Sequence, residues 1–392
     1  MRILICGCTY APALNGQSTF TTTLAEGLVQ CGHQVWMVAP SDYGKSYQIE
    51  RNGVYIYRVH SQDLKFFHDE AYMSWLPDGE VRHIFNLFKP DIVHVQDPYP
   101  LSKCVVKFAR LNQVAVLGTN HFVPENLAPY IPLLPKAWPV LSRLLWWWMK
   151  RVYSHLDFVT APSRTAVEIL MTQNLSVPME AISCGVSFER FHVDATVDRA
   201  AIRRRYGLNE TSTTFLFVGR VDAEKKVDVL IHALKLLNRA DIQLVVTGNG
   251  AALHSYQALA QELGIEAQVH FTGFVTDGDL PLLLNSVDVF SMPSEAELLS
   301  IASLEAMASG RPLLVARSKA LPELVDDGVN GYLFEPGNVE DAARCMALFA
   351  DHPENWAQMG AASLQKVIPH GFANVLKRYE EVYTGCIGGV SR

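Results

Sequence analysis

Four charged side chains in the second half of the chain are spaced for work on an anionic ligand that carries hydroxyls. Glu297 and Glu305 lie eight residues apart, and Arg220 and Lys225 lie five apart. Carboxylates accept hydrogen bonds from hydroxyls, while Arg offers a planar fork and Lys a mobile point charge to phosphate oxygens. The set suits a ligand with hydroxyls at its ends and a diphosphate in its middle, which is the shape of a nucleotide sugar. Eight residues on a helix advance a side chain by about 800°, roughly 80° off alignment, so the carboxylates need not touch. With Glu297 in a loop before a helix over 300–308, each carboxylate reaches one end of the ligand. The helix N-terminus between them offers free N–H groups and partial positive charge to a phosphate. The alternative is an ordinary amphipathic helix with a solvated Glu at each end.

The elements that must carry these residues are strands ending in loops. Arg220 and Lys225 follow the apolar run Thr213-Thr214-Phe215-Leu216-Phe217-Val218, which Gly219 terminates. It reads as a buried parallel strand, and ligands of open α/β sheets bind outside the carboxyl ends of such strands. Lys226 beside Lys225 leaves the register open, and a solvated basic loop is the alternative. Asn15-Gly16-Gln17-Ser18 separates the first strand from a helix expected over 19–29. Gly16 there lets the backbone approach a phosphate, or makes a plain turn. The full Gly-x-Gly-x-x-Gly pattern is missing, which argues against a dinucleotide enzyme. His121 ends another strand, where it either hydrogen-bonds substrate or is structural. Thr247-Gly248-Asn249-Gly250 marks one more strand end.

Strand and helix patterns alternate in both halves of the 392 residues, so the reading is α/β with two Rossmann-like domains. The expected strands cover 2–7, 34–39, 54–59, 92–95, 114–118 and 158–161, then 214–219, 243–248, 269–273, 289–292 and 312–316. The domains are expected at 1–186 and 187–368, with a final segment, 369–392, bearing a helix over 372–384. A net charge of −7 argues against broad nucleic-acid binding. The seven Cys show neither Cys-x-x-Cys nor metal-ligand spacing and read as reduced thiols, so no metal is expected. The strand-like start and the absence of a run of about 18 apolar residues point to a cytoplasmic or peripheral protein.

Between Pro124 and Tyr153, Trp residues interleave with cations: Leu133 to Trp138, then Leu141 to Arg151, including Trp146, Trp147, Lys150 and Arg151. That composition suits a bilayer interface, with indoles at headgroup depth and cations on anionic lipid. The alternative is a helix packed on the first sheet, its adjacent Trp residues pointing in different directions.

Together these features resemble the retaining GT-B glycosyltransferases, over nearly the whole chain. The resemblance is carried by Val218-Gly219-Arg220 with Lys225, Gly248-Asn249-Gly250, Phe271-Thr272-Gly273-Phe274-Val275, and Ser294-Glu295-Ala296-Glu297 through Leu304-Glu305-Ala306-Met307-Ala308-Ser309-Gly310-Arg311-Pro312. Glu323 to Gly331 echoes a further family motif. The resemblance implies a GT-B fold with a central cleft and a last helix returning to the first domain. It also implies that Arg220 and Lys225 neutralise the donor diphosphate in place of a metal, and that Glu305 holds the ribose. Glu297 then binds the transferred sugar, with the backbone N–H groups of Leu298, Leu299 and Ser300 nearby. Gly248 and Val275 belong to the donor side, His121 contacts the sugar, and Gly16 caps the diphosphate. Retention implies that the acceptor attacks the face the diphosphate leaves, with a phosphate oxygen as base. Many relatives have Gly-Phe-Gly or similar where this chain has Leu298-Leu299-Ser300, a departure that bears on the sugar and not on the donor class.

Asn120-His121-Phe122-Val123-Pro124-Glu125-Asn126 is similar to glycolipid-forming members. The expected reaction is transfer of glucose from UDP-glucose to diacylglycerol or a related lipid at an anionic membrane surface, with no cofactor. The alternatives are a soluble sugar or small-molecule acceptor, and a non-catalytic protein that binds nucleotide sugars.

Overall fold

The computed structural model describes residues 1–13, 15–64, 72–125 and 138–390. Asn126 and residues 133–137 of the Trp-rich stretch lie outside them. The chain forms two compact units, Met1–Cys184 with Ala373–Arg392, and Gly185–Phe372.

The first unit is built on eight strands in the order Met179–Ala181, Phe158–Ala161, Ala115–Thr119, Ile92–Val95, Arg2–Cys6, Gln34–Pro40, Val54–Val59 and Tyr47–Arg51. All neighbours are parallel except the last pair, which is antiparallel. Ile3, Leu4, Ile5, Ile92 and Val93 are fully buried, as parallel strands covered on both faces require. Helix Phe372–Val390 returns to this sheet. His94 bonds the Tyr383 hydroxyl at 2.8 Å and Thr119 Oγ1 at 2.7 Å, while the Tyr379 hydroxyl lies 3.2 Å from Thr119 and Thr160. Arg378 pairs with Glu180 at 2.6 Å at the rim.

The second unit is a six-stranded parallel sheet in the order Val269–Gly273, Ile242–Thr247, Thr213–Val218, Val289–Met292, Leu313–Ala316 and Gly331–Phe334. Strand order reverses between Thr213–Val218 and Val289–Met292, so the crevice of this doubly wound sheet opens beyond those two strands. Arg220 and Lys225 follow the first of them and Glu297 the second. Phe215, Phe217, Phe290 and Phe349 fill the core. At the opposite end of the same strands, buried Arg203 reaches Asp288 at 2.8 Å and Arg199 reaches it at 2.6 Å.

Strands Tyr47–Arg51, Met179–Ala181 and Gly331–Phe334, and the short pair Gln62–Asp63 and Tyr72–Met73, were not expected. Each is short or polar, so none shows the apolar run that marks a central strand. The first helix begins at Gly16 instead of Thr19, because Asn15 caps it by accepting from the Ser18 N–H at 2.9 Å.

Candidate functional site

In the second unit the strand ends pack backbone on backbone. Gly248 has φ +128° and its N–H donates to the Gly273 carbonyl at 2.8 Å. A Cβ at Gly248 would stand 1.9 Å from the Gly219 carbonyl oxygen, so close packing of the chain demands glycine here. Beyond Gly219 come Arg220 and then a short turn, Ala223–Lys225, that carries Lys225. Arg220 lies 3.1 Å from Asp222 and 3.2 Å from Glu224, and Lys225 lies 2.6 Å from Glu297 and 3.7 Å from Glu224. Of the two adjacent lysines, Lys225 is the one that meets Glu297. Burial works against the Lys225 ammonium, but Glu297 and Glu224 outweigh it and hold the group above the ordinary lysine range. Two cations are thus grouped with three carboxylates.

Glu297 precedes helix Ile301–Ala308, which Ser300 caps by accepting from the Ser303 N–H at 3.1 Å. The Glu297 carbonyl accepts from the Ala320 N–H at 3.2 Å, anchoring the loop. Leu298 is buried and Leu299 packs against the core, so neither side chain is free for a ligand. Val275 is buried just after strand Val269–Gly273. Glu305 lies within the helix, and burial pushes its carboxyl up to about 7, with Arg190 opposing and Asp277 reinforcing the rise. In the ribose-holding role that the family resemblance implies for Glu305, the carboxyl would accept from hydroxyls best when ionised. Donor KM is expected to rise as pH falls through about 7, and E305Q is expected to lose that dependence. Initial rates between pH 5.5 and 8.5 test this; a flat wild-type KM would exclude it.

In the first unit Gly16 is the first residue of helix Gly16–Gln30, and a Cβ there would meet nothing within 4 Å. Its glycine is demanded neither by φ nor by packing. His121 lies 3.0 Å from Gln96 Oε1, with the Phe20 ring 4.9 Å from its own. Burial pushes the imidazole down to about 3, so it is neutral at physiological pH. Asp97, the residue after Gln96, accepts from the Cys8 N–H at 2.5 Å, from Gln17 at 2.9 Å and from Ser102 at 2.8 Å. Gln96, Asp97, Asp222 and Glu224 escaped the sequence reading. Their one signal is position, directly after a strand.

The Trp-rich stretch forms helix Trp138–Tyr153. Trp146 is buried and its Nε1–H donates to Glu125 at 2.9 Å, which corrects its assignment to a membrane surface: it belongs to the packed face. Trp148 donates to the Pro98 carbonyl at 2.7 Å beneath Lys103. Trp147 is 56 % exposed, with the Arg151 guanidinium 5.7 Å from its ring. Among the described residues no helix is long and apolar enough to cross a membrane, and no group of three or more His, Cys, Asp or Glu could hold a metal ion.

A largely parallel sheet in each unit, with paired cations and carboxylates flanking a strand-order reversal in the second, defines an α/β protein of the doubly wound type whose ligand crevice is expected at that reversal. Comparison with known proteins agrees. The family Glycosyl transferases group 1 matches residues 198–366, and Glycosyltransferase Family 4 matches 14–190. The alpha-monoglucosyldiacylglycerol synthase of Streptococcus pneumoniae is 25% identical over 391 residues, covering 99% of this chain and 86% of that protein. A GDP-mannose-dependent alpha-mannosyltransferase of Corynebacterium glutamicum is 25% identical over 368 residues, covering 94% and 84%. Among solved structures, sucrose-phosphate synthase from Thermosynechococcus elongatus superposes with a TM-score of 0.83 at 17% identity, covering 99% of each chain. Anabaena HepE in complex with UDP-glucose gives 0.77 at 16% identity, covering 98% of this chain and all of that one. The chain thus joins a Glycosyltransferase Family 4 domain to a Glycosyl transferases group 1 domain, has the GT-B fold and is a glycosyltransferase.

Proposed function

We propose that the protein is a retaining hexosyltransferase that moves glucose from UDP-glucose to a membrane lipid such as diacylglycerol, without a metal. The observation that carries the reading is the Lys225–Glu297 contact of 2.6 Å at the strand-order reversal, with Arg220 in the same segment after strand Thr213–Val218. A glycosyl donor departs through an oxocarbenium-like transition state while negative charge grows on the diphosphate. Lys225 and Arg220 meet that charge, Glu297 binds the sugar and Glu305 the ribose. In the first unit His121 contacts a sugar hydroxyl. Donor and acceptor are argued from likeness: the S. pneumoniae relative is named for a glucosyldiacylglycerol product, and HepE was solved with UDP-glucose.

The lipid reading has support in the chain itself. Val140, Leu144 and Trp147 project from one face of helix Trp138–Tyr153, each more than half exposed, beside Arg143, Lys150 and Arg151. Among the described residues, none of these three cations is ion-paired, although most arginines of the chain are. With residues 173–178 they line a groove of about 770 Å³. Purified protein is expected to release UDP from UDP-glucose faster when diacylglycerol is supplied in anionic vesicles. Release that ignores lipid would move the acceptor to soluble molecules, and no release from any nucleotide sugar would end the enzymatic reading. Each cation near an anionic surface is worth about 1 kcal/mol, so K150E/R151E is expected to weaken vesicle co-sedimentation at least tenfold. Unchanged sedimentation would remove this face from the membrane.

A further inference from the structure

We propose that Gln96 is a positioning residue that holds His121 as the neutral Nε2–H tautomer, leaving Nδ1 to accept a hydrogen bond from a ligand hydroxyl. The ligand role rests on the reading of His121 given above; the tautomer does not.

Gln96 follows strand Ile92–Val95, and its N–H donates to the Cys6 carbonyl at 2.8 Å, which fixes its backbone. The side chain is fully buried against Gly7, where an added Cβ would come within 3.0 Å of Gln96 Cβ. Gln96 Oε1 stands 3.0 Å from His121 Nε2. An amide oxygen only accepts, so the ring nitrogen facing it carries the proton, and a neutral imidazole has only one. Phe20 covers the ring at 4.9 Å, tilted by 54°, which limits rotation away from Gln96. Among the described residues Gln96 Nε2 is buried without a partner, so His121 is the one side chain that the Gln96 amide bonds there.

Among the described residues, no charged group pairs with the ring. His94, on the strand before Gln96, is itself uncharged, with both nitrogens taken by Tyr383 and Thr119. The oxygens of Asp97 are occupied by Cys8, Gln17, Ser102 and Tyr99. Helix Gly16–Gln30 presents Phe20, which is apolar. An acceptor nitrogen can pair only with a donor, so the group it meets is a hydroxyl; a carboxylate in its place would be repelled.

The test is ¹⁵N-imidazole correlation spectroscopy of the full chain, with His121 assigned by its loss in H121A. The wild type is expected to show protonated Nε2 and bare Nδ1, unchanged from pH 5.5 to 8. Q96L is expected to show mixed tautomers and at least a tenfold lower kcat, with donor KM changed less than threefold. Q96E keeps the acceptor but stabilises the imidazolium. Its turnover is expected to be near wild type at pH 8 and to fall in acid as His121 titrates. An Nδ1–H tautomer in the wild type, an unaltered Q96L spectrum, or a Q96E profile like the wild type would overturn the assignment. Undiminished turnover by H121A would overturn the ligand role alone, whatever the spectra show.

Discussion

Replacing Lys225 by Ala is expected to lower kcat for glycosyl transfer about a thousandfold, the scale on which a donor aimed at transition-state charge acts. The ammonium is held 2.6 Å from Glu297 and 3.7 Å from Glu224, so it is preorganised in a partly buried position. Under the proposed function, an arriving diphosphate would meet a cation already in place, and the growing charge on the leaving group would strengthen the contact. K225R is expected to recover little, because a planar guanidinium does not fit the space of a compact ammonium. K225A/E297A is expected to lose less than the product of the single effects, since each partner orients the other. Steady-state rates with a thermal melt on each variant decide the matter. A kcat within threefold of wild type for a folded K225A would remove Lys225 from the reaction.

The second large effect concerns stability. D288A is expected to cost the second unit about 3–5 kcal/mol, because it strands a buried guanidinium. Asp288 accepts from Arg203 at 2.8 Å, Arg199 at 2.6 Å and the Thr214 N–H at 2.9 Å. Arg203 otherwise reaches only carbonyls, those of Ser286, Glu210 and Ser212, which do not neutralise it. R203M/D288L removes both charges and is expected to recover most of the loss, since the desolvation penalty disappears with the pair. Urea denaturation of the three proteins measures this. A D288A midpoint equal to wild type would show that solvent reaches Arg203.

The central strands of both sheets were legible because each is an apolar run punctuated by Gly or a polar turn, as at Phe215 to Gly219. Arg220, Lys225, Glu297 and Glu305 were legible as candidates because a doubly wound sheet leaves few places for ligand chemistry, whereas Asp97, Asp222 and Glu224 were not. What stayed hidden depends on distances that no spacing encodes. Lys225 and Glu297 are 72 residues apart and meet only through the pairing of Thr213–Val218 with Val289–Met292. Gln96 and His121 meet for the same reason, through Ile92–Val95 and Ala115–Thr119. The three Trp at 146–148 show the opposite limit: composition marks the segment, but only packing assigns Trp146 inward and Trp147 outward.

The return of helix Phe372–Val390 makes the second unit an insertion in the first. Its two ends lie side by side: the Val186 N–H donates to the His370 carbonyl and the Phe372 N–H to the Val186 carbonyl, each at 2.9 Å. During synthesis the inserted unit therefore has all of its residues before its host does. Until the helix that carries Tyr379 and Tyr383 has been made, His94, Thr119 and Thr160 wait at a sheet face without their closing partners. The half of the protein that is translated first is the half that finishes last.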